Sequence, residues 1–302
     1  EAYFSMSSPL VTVVISTYRR PELLAKALES VKNQTFADYE IIVVDDNSGE
    51  EYTKQYNLPD SARLICHDKN RGCAGTKNTG TANALGKYVA YLDDDDLWES
   101  TKLEKQVKVF EDDPAIGIVH VHHRLIDEHN QPVYPDPKLR NYPANVFRLF
   151  LKGNLIKSPS AVMIKQNLVE ENGWFDEILP GAEDWAMWIK VAYKNKVIRI
   201  DEPLLLYRNH QGQMTGRLLR CRTADVEVMY KLLEWVKIHA PEETANVTKS
   251  LVFRLLRYGR ACGRNKHYDD GIQAMKKVMN YEPWNIRAWT GLAGIYFKQT
   301  IG

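Results

Sequence analysis

The feature that most constrains this chain is a set of short apolar, largely β-branched runs, each ending abruptly in polar residues. Residues 11–15 (VTVVI), 41–44 (IIVV) and 88–92 (YVAYL) do not alternate with polar residues. Such runs suit strands buried on both faces, the situation in a parallel sheet covered by helices. Residues 62–66 read as a further strand. Helical periods separate the runs. Pro21 opens one, with Leu23, Leu24, Ala27, Leu28 and Val31 on its inner face; residues 76–85 form another, with Gly86 as its stop. The alternation predicts an α/β fold with a doubly wound, mostly parallel, Rossmann-like sheet.

Further along, residues 102–110 read as an amphipathic helix and residues 116–121 as a strand. Residues 127–143 carry Pro132, Pro135, Pro137 and Pro143 and read as a loop excursion. Strands are expected at 161–164, 197–200 and 204–207, and a helix through Trp185, Trp188, Ile189 and Ala192. Beyond about Gly216 only helical stripes remain. The expected division is therefore a domain over 9–215 and a C-terminal helical region over 216–302. Residues 268–297 resemble a single tetratricopeptide-like hairpin. One hairpin cannot bury its own faces, so a small helical cap is the preferred reading. Residues 1–8 read as a start outside the fold, its first residues an addition ahead of a native Met6.

In a doubly wound sheet, ligands bind beyond the carboxyl ends of the strands. Residues 17–20 (TYRR), Asp45-Asp46 and the run Asp93 to Asp96 all follow strands, so the fold gathers them at one edge. Four consecutive aspartates repel one another and resist ionisation unless a cation binds. Their hard oxygens suit magnesium or manganese, with phosphates and water completing the shell. Asp45 and Asp46 can accept from a base edge or a ribose hydroxyl, or close a turn. Arg71 or Lys77, beside Gly72 and Gly75 at the expected start of a helix, could neutralise a diphosphate. Neither the phosphate-loop spacing nor a Gly-x-Gly-x-x-Gly fingerprint occurs. Of His120, His122 and His123, only His120 and His122 would share a strand face, with no cysteine or third ligand evident for zinc, so the cluster reads as strand surface or acceptor groove.

Residues 11–21 (VTVVISTYRRP), 42–48 (IVVDDNS), 70–72 (NRG), 77–80 (KNTG), 91–96 (YLDDDD) and 183–185 (EDW) resemble, in order, the motifs of the family 2 glycosyltransferases of GT-A fold. The resemblance covers about residues 9–212. It implies an inverting, metal-dependent transfer of a sugar from a nucleoside diphosphate sugar, a UDP-sugar by frequency, to a hydroxyl of a glycan or other acceptor, as in polysaccharide biosynthesis. It implies roles by position. Tyr18 stacks on the base, Ser16 or Thr17 touches it, Arg20 belongs to the same nucleotide-sugar group, and Asp45 binds the base edge. Lys77 stands where the family has arginine, a point charge in place of a fork. Asp93 and Asp95 match an Asp-x-Asp motif, with Asp95 the first metal ligand and Asp93 or Asp94 at ribose or metal. His210 stands where a histidine near the metal is common. Asp184 is the catalytic base, with Glu183 and Trp185 on the acceptor side.

Composition sets the remaining bounds. The net charge of +1 gives no bulk case for nucleic acid or an anionic surface. Cys66, Cys73, Cys221 and Cys262 form no C-x-x-C pair and read as reduced thiols. No run is long enough to span a bilayer, and no signal peptide is evident. The expected location is the cytoplasm, including the inner face of its membrane through peripheral association. The rival readings are a catalytically silent nucleotide-sugar-binding scaffold and a metal-dependent nucleotidyltransferase.

Overall fold

A computed structural model of the chain describes residues 8–134, 143, 146–179, 181–208 and 218–301. Two compact units divide it. One comprises Glu1–Phe150, Asn154–Ile178 and Glu183–Gly212, the other Leu151–Gly153, Leu179–Ala182 and Gln213–Gly302.

The first unit is built on eight strands: β1 (Val11–Thr17), β2 (Tyr39–Asp45), β3 (Ala62–Cys66), β4 (Tyr88–Asp93), β5 (Leu97–Trp98), β6 (Ile116–Ile126), β7 (Val162–Lys165) and β8 (Lys196–Arg208). Its helices are α1 (Pro21–Lys32), α2 (Glu50–Thr53), α3 (Gly72–Ala82), α4 (Lys102–Asp112), α5 (Phe147–Phe150), α6 (Gln166–Glu171) and α7 (Glu183–Lys194). The strands form one sheet in the order β3-β2-β1-β4-β7-β6-β8-β5. The β3-β2-β1-β4 pairings and β6-β8 are parallel; β4-β7, β6-β7 and β5-β8 are antiparallel. The apolar runs of β1, β2 and β4 are neighbours inside the sheet, between β3 and β7, and are buried.

Register does the gathering that the sequence implied. Ser16 pairs with Asp93, and Thr17 pairs with Asp45. The ends of three strands far apart in sequence are thus immediate neighbours.

Three local expectations differ. The third helix starts at Gly72 and ends at Ala82, so Gly75 and Lys77 lie inside it and Gly86 is not its stop. Gly86 serves packing: a Cβ there would meet the Thr12 backbone nitrogen at 2.5 Å. Gly80 does the same for α3, because its Cβ would fall 2.2 Å from Val14 Cγ1. Residues 197–200 and 204–207 are one strand, β8, running beside β6 with register shifts near Val121 and His122 that absorb the Asp201-Glu202-Pro203 interruption. β6 itself continues to Ile126.

The second unit is helical: α8 (Leu218–His239), α9 (Thr244–Arg264), α10 (Tyr268–Tyr281) and α11 (Ile286–Ile301). α9 packs against α8 and α10, and α11 against α10. Small residues allow close approach: a Cβ on Gly259 would press on Met275, and one on Gly263 on Ile295. Arg254 is buried and donates to the Leu151 carbonyl at 3.1 Å, with Asp225 3.7 Å away.

Candidate active site

The aspartate run divides by side. Asp94 and Asp96 are buried, whereas Asp93 and Asp95 are half-buried. Asp94 accepts from Thr17 Oγ1 at 2.8 Å and from Arg20 Nη1 at 3.2 Å. Asp96 accepts from the Arg208 backbone N–H at 3.1 Å and from Ser158 Oγ at 3.2 Å. These two tie the strand end into the protein. Asp93 and Asp95 remain as the pair presented at the sheet edge. Burial pushes the Asp93 carboxyl up to about 6, against the pull of Lys77 and with Asp95 and Glu183 adding to it. Burial likewise raises Asp94 to about 7. Arg20 Nη1 reaches Asp95 at 2.9 Å as well as Asp94, so it serves the carboxylates as a counter-ion.

Asp45 and Asp46 diverge. The Asp45 carboxylate accepts from the Ser48 backbone N–H at 2.8 Å, from Ser48 Oγ and from Tyr56 OH at 2.6 Å. It is buried and closes the turn after β2. Asp46 takes the start of α3: its oxygens accept from the backbone N–H groups of Arg71 and Gly72, each at 2.8 Å, and from His67 Nδ1 at 2.8 Å. The anion that a helix N-terminus attracts is here the protein's own carboxylate. Gly72 (φ +72) makes that turn.

Tyr18 is 40% exposed at the same edge, with the Arg19 guanidinium 5.0 Å from its ring centroid. Ser16 Oγ lies 2.7 Å from Thr76 Oγ1, joining β1 to α3. Tyr18 is thus an open aromatic platform beside the carboxylates.

Two α3 side chains, Asn78 and Lys77, and Arg71 just before the helix grip the segment that leads to Asp184. Asn78 Nδ2 donates to the Phe175 carbonyl at 2.8 Å, and Asn78 Oδ1 accepts from the Phe175 N–H at 2.9 Å. Arg71 makes two bonds to the Glu177 carboxylate, at 2.6 and 3.2 Å. Lys77 Nζ lies 3.1 Å from Glu183 Oε1, and both side chains are almost wholly buried. Burial works against the Lys77 charge, but Glu183, Cys73, Asp93 and Asp184 outweigh it and hold its ammonium above the usual lysine range.

The structure therefore turns Lys77 and Glu183 toward each other, where a diphosphate contact and an acceptor contact were expected. Trp185, expected on the acceptor side, is buried and donates from Nε1 to the Phe150 carbonyl at 3.0 Å. Asp184 stays half-buried in the first turn of α7. Its oxygens accept from the Trp185 N–H at 2.6 Å and from Asn154 Nδ2 at 3.3 Å. Burial raises its carboxyl to about 6, with Glu183 adding to the rise and Lys77 opposing it.

His210 lies outside the described residues. His120 is buried, and burial with the nearby Arg199 pushes its imidazole down to about 3. Among the described residues no group of three or more His, Cys, Asp or Glu side chains is placed to cage a metal. Asp93 and Asp95 do suit the commoner magnesium-type arrangement, in which one or two carboxylates share the ion with phosphates and water. Sequence reasoning missed Asn78, Asn154 and Arg208; only Asn78 had a signal, its place in the KNTG motif.

A family model described as "Glycosyl transferase family 2" matches residues 12–173. A Methanocaldococcus jannaschii protein named an uncharacterized glycosyltransferase is 35% identical over 211 residues, 67% of this chain and 72% of that protein. An uncharacterized glycosyltransferase of Rickettsia felis is 33% identical over 207 residues, 68% of this chain; the match spans only 34% of that longer protein. The Escherichia coli UDP-Glc:alpha-D-GlcNAc-diphosphoundecaprenol beta-1,3-glucosyltransferase WfaP is 28% identical over 210 residues, 68% of this chain and 80% of WfaP. Among solved structures, S. aureus TarS 1-349 in complex with UDP-GlcNAc superposes with a TM-score of 0.63 at 18% identity, covering 89% of this chain and 80% of TarS. The mannosyltransferase PcManGT of Pyrobaculum calidifontis, in complex with GDP-Man and Mn2+, gives 0.61 at 19%, covering 98% and 87%. At such identities the likeness concerns the fold.

Proposed function

The chain belongs to glycosyl transferase family 2, and on that premise we propose that it moves a sugar from a UDP-sugar to an acceptor hydroxyl by a single inverting displacement. The observation that carries this reading is the register that sets Ser16 beside Asp93 and Thr17 beside Asp45, with Tyr18 open to solvent at the same edge. In the proposed arrangement the base stacks on Tyr18, and Asp45 meets its edge with its remaining acceptor capacity. Asp93 and Asp95 hold a divalent cation, which when bound would offset charge on the departing diphosphate. Asp184 accepts the acceptor's proton as the acceptor oxygen bonds to the anomeric carbon; the carbon–oxygen bond to the diphosphate breaks and UDP leaves with that electron pair. A carboxyl held near 6 is ionised at neutral pH yet is a stronger base than an ordinary aspartate.

Residues 9–215 form the transferase domain in this reading. TarS with UDP-GlcNAc and WfaP with its UDP-Glc donor support the UDP preference. The alpha-D-GlcNAc-diphosphoundecaprenol in WfaP's name supports a glycan acceptor; use in polysaccharide synthesis at the cytoplasmic face of a membrane belongs to the same proposal.

The test needs no acceptor, because water can take its place. UDP release from UDP-Glc and UDP-GlcNAc is followed with Mn2+, and UDP binding is titrated calorimetrically. Asp184→Asn should lower release by at least about a hundredfold while leaving UDP affinity unchanged. An Asn variant that releases UDP at the wild-type rate refutes the assigned base; a wild-type protein that neither binds UDP nor releases it refutes the transfer itself.

A further inference from the structure

The overall charge hides a separation. From Gln213 to the end the sequence carries fifteen Lys and Arg against eight Asp and Glu, while the remainder carries twenty-five against thirty-one. Within the helical unit the excess is concentrated on α9. Its 21 residues contain no acidic side chain.

The basic residues of α9 are ordered on its surface. Lys249, Arg257, Arg260 and Arg264 are all exposed. At the α-helical turn they lie within an arc of roughly 80°, together with Phe253, and span about 22 Å along the axis. None of the four pairs with a carboxylate among the described residues. The fifth basic residue, Arg254, points the other way, into the packed interior beside Asp225 and the Leu151 carbonyl. Phe253 is 46% exposed in the middle of the stripe, and the Arg257 guanidinium lies 5.4 Å from its ring centroid.

We propose that this outer face of α9 is a membrane-docking surface that lies on a bilayer containing anionic phospholipid. Charge complementarity carries the assignment: four exposed cations on one face of a single helix, unpaired among the described residues, meet a plane of negative headgroups, with an apolar ring among them to enter the interface. A groove, which would wrap a polyanionic chain, is not what a single helix face offers. The same helical unit exposes Trp284, Trp289, Tyr296 and Phe297, aromatic residues of the kind enriched at membrane interfaces. The inference does not depend on which donor the first unit uses. It does not depend on Asp184 either.

Each basic residue close to an anionic surface raises partitioning by about fivefold. The full chain is therefore sedimented with vesicles of phosphatidylcholine alone and of phosphatidylcholine mixed with phosphatidylglycerol, at low and high salt. Binding should require phosphatidylglycerol and fall with salt. The triple change Arg257→Gln, Arg260→Gln and Arg264→Gln should weaken it at least tenfold, with the melting temperature unchanged because these side chains are exposed. Lys249→Gln with Phe253→Ser is a second, independent variant with the same expected direction. Equal binding to neutral and mixed vesicles, or a folded variant that binds as wild type does, overturns the proposal. So does stripe-dependent binding to a single-stranded oligonucleotide that is tighter than binding to mixed vesicles at equal phosphate concentration, since the face would then serve a polyanionic chain. The wild-type composition and salt arms decide the matter even where a variant fails to fold.

Discussion

Replacing Lys77 by Met removes one half of a buried ion pair while keeping most of the side chain's volume. Lys77 Nζ sits 3.1 Å from Glu183 Oε1 and 3.3 Å from the Cys73 carbonyl, with the Phe175 ring centroid 5.7 Å away. The two side chains keep only 2% and 5% of their exposure. The Glu183 carboxylate loses this buried cationic partner, and the expected loss is about 3–5 kcal/mol. Removing both charges is a different matter. A buried pair replaced by apolar residues of similar volume is commonly neutral in stability, so Lys77→Met with Glu183→Met should fall well short of the sum of the single losses. Urea unfolding of the four proteins, followed by far-UV circular dichroism, gives the cycle. A Lys77→Met loss below about 1 kcal/mol, or strict additivity in the double variant, would refute the buried-pair reasoning. The change also reaches Asp184, whose proton affinity Lys77 holds down. The acid limb of UDP release should therefore move to higher pH in Lys77→Met. A diphosphate contact alone would weaken UDP binding and leave that limb in place.

Other predictions follow from the same geometry. His120 is neutral in the folded protein, with its value lowered to about 3 from 6.5; its contribution to stability is complete above pH 6.5 and is lost as pH falls toward 3, so the advantage of wild type over His120→Gln should shrink by about 1.4 kcal/mol per pH unit below 6.5, and parallel stability curves would exclude this. Asp184 has the opposite sign. Its raised value makes the folded state favour the protonated form, a contribution present below the ordinary carboxyl range and lost as pH rises through about 6; Asp184→Asn should therefore gain stability relative to wild type as pH rises from 4 to 7 in urea titrations. Asn78→Ala removes both bonds to the Phe175 backbone and should cost about 1–3 kcal/mol, with UDP release falling further than UDP affinity in calorimetry. In Asp95→Ala the ratio of UDP affinities measured with Mn2+ and with chelator should collapse toward one.

The parts of this protein that were legible in the sequence share one physical property: their environment is dictated by the element itself. A strand covered on both faces admits almost nothing but apolar residues, so β1, β2 and β4 announced themselves, and the polar residues just past them had to lie at the sheet edge. Charged side chains inside that edge were harder to read, because a charge does not state its partner. Lys77 meets a carboxylate 106 positions away, and Asp46 binds backbone N–H groups 25 and 26 positions on. Lys77 is expected at a diphosphate and Asp46 at a ligand or a turn; in the structure each has partners within the protein. A signal for Lys77 was present. The sequence of α3, GCAGTKNTGTA, is made almost wholly of small residues, and a helix so thin can be packed on several sides at once. A lysine in its middle then has no path to water and must find an anion within the protein. The same reasoning separates the four aspartates. Past the end of β4 the chain makes a tight turn, closed by the Asp96 N–H on the Asp93 carbonyl at 3.1 Å, and Asp94 and Asp96 go inward, where Thr17, Ser158 and the Arg208 backbone meet them. The same turn leaves Asp93 and Asp95 half-buried at the sheet edge, the pair placed to share a ligand's cation. The Asp-x-Asp spacing here is that of a strand end and the turn that follows it. The aspartates between and after the pair are what fix that turn in place.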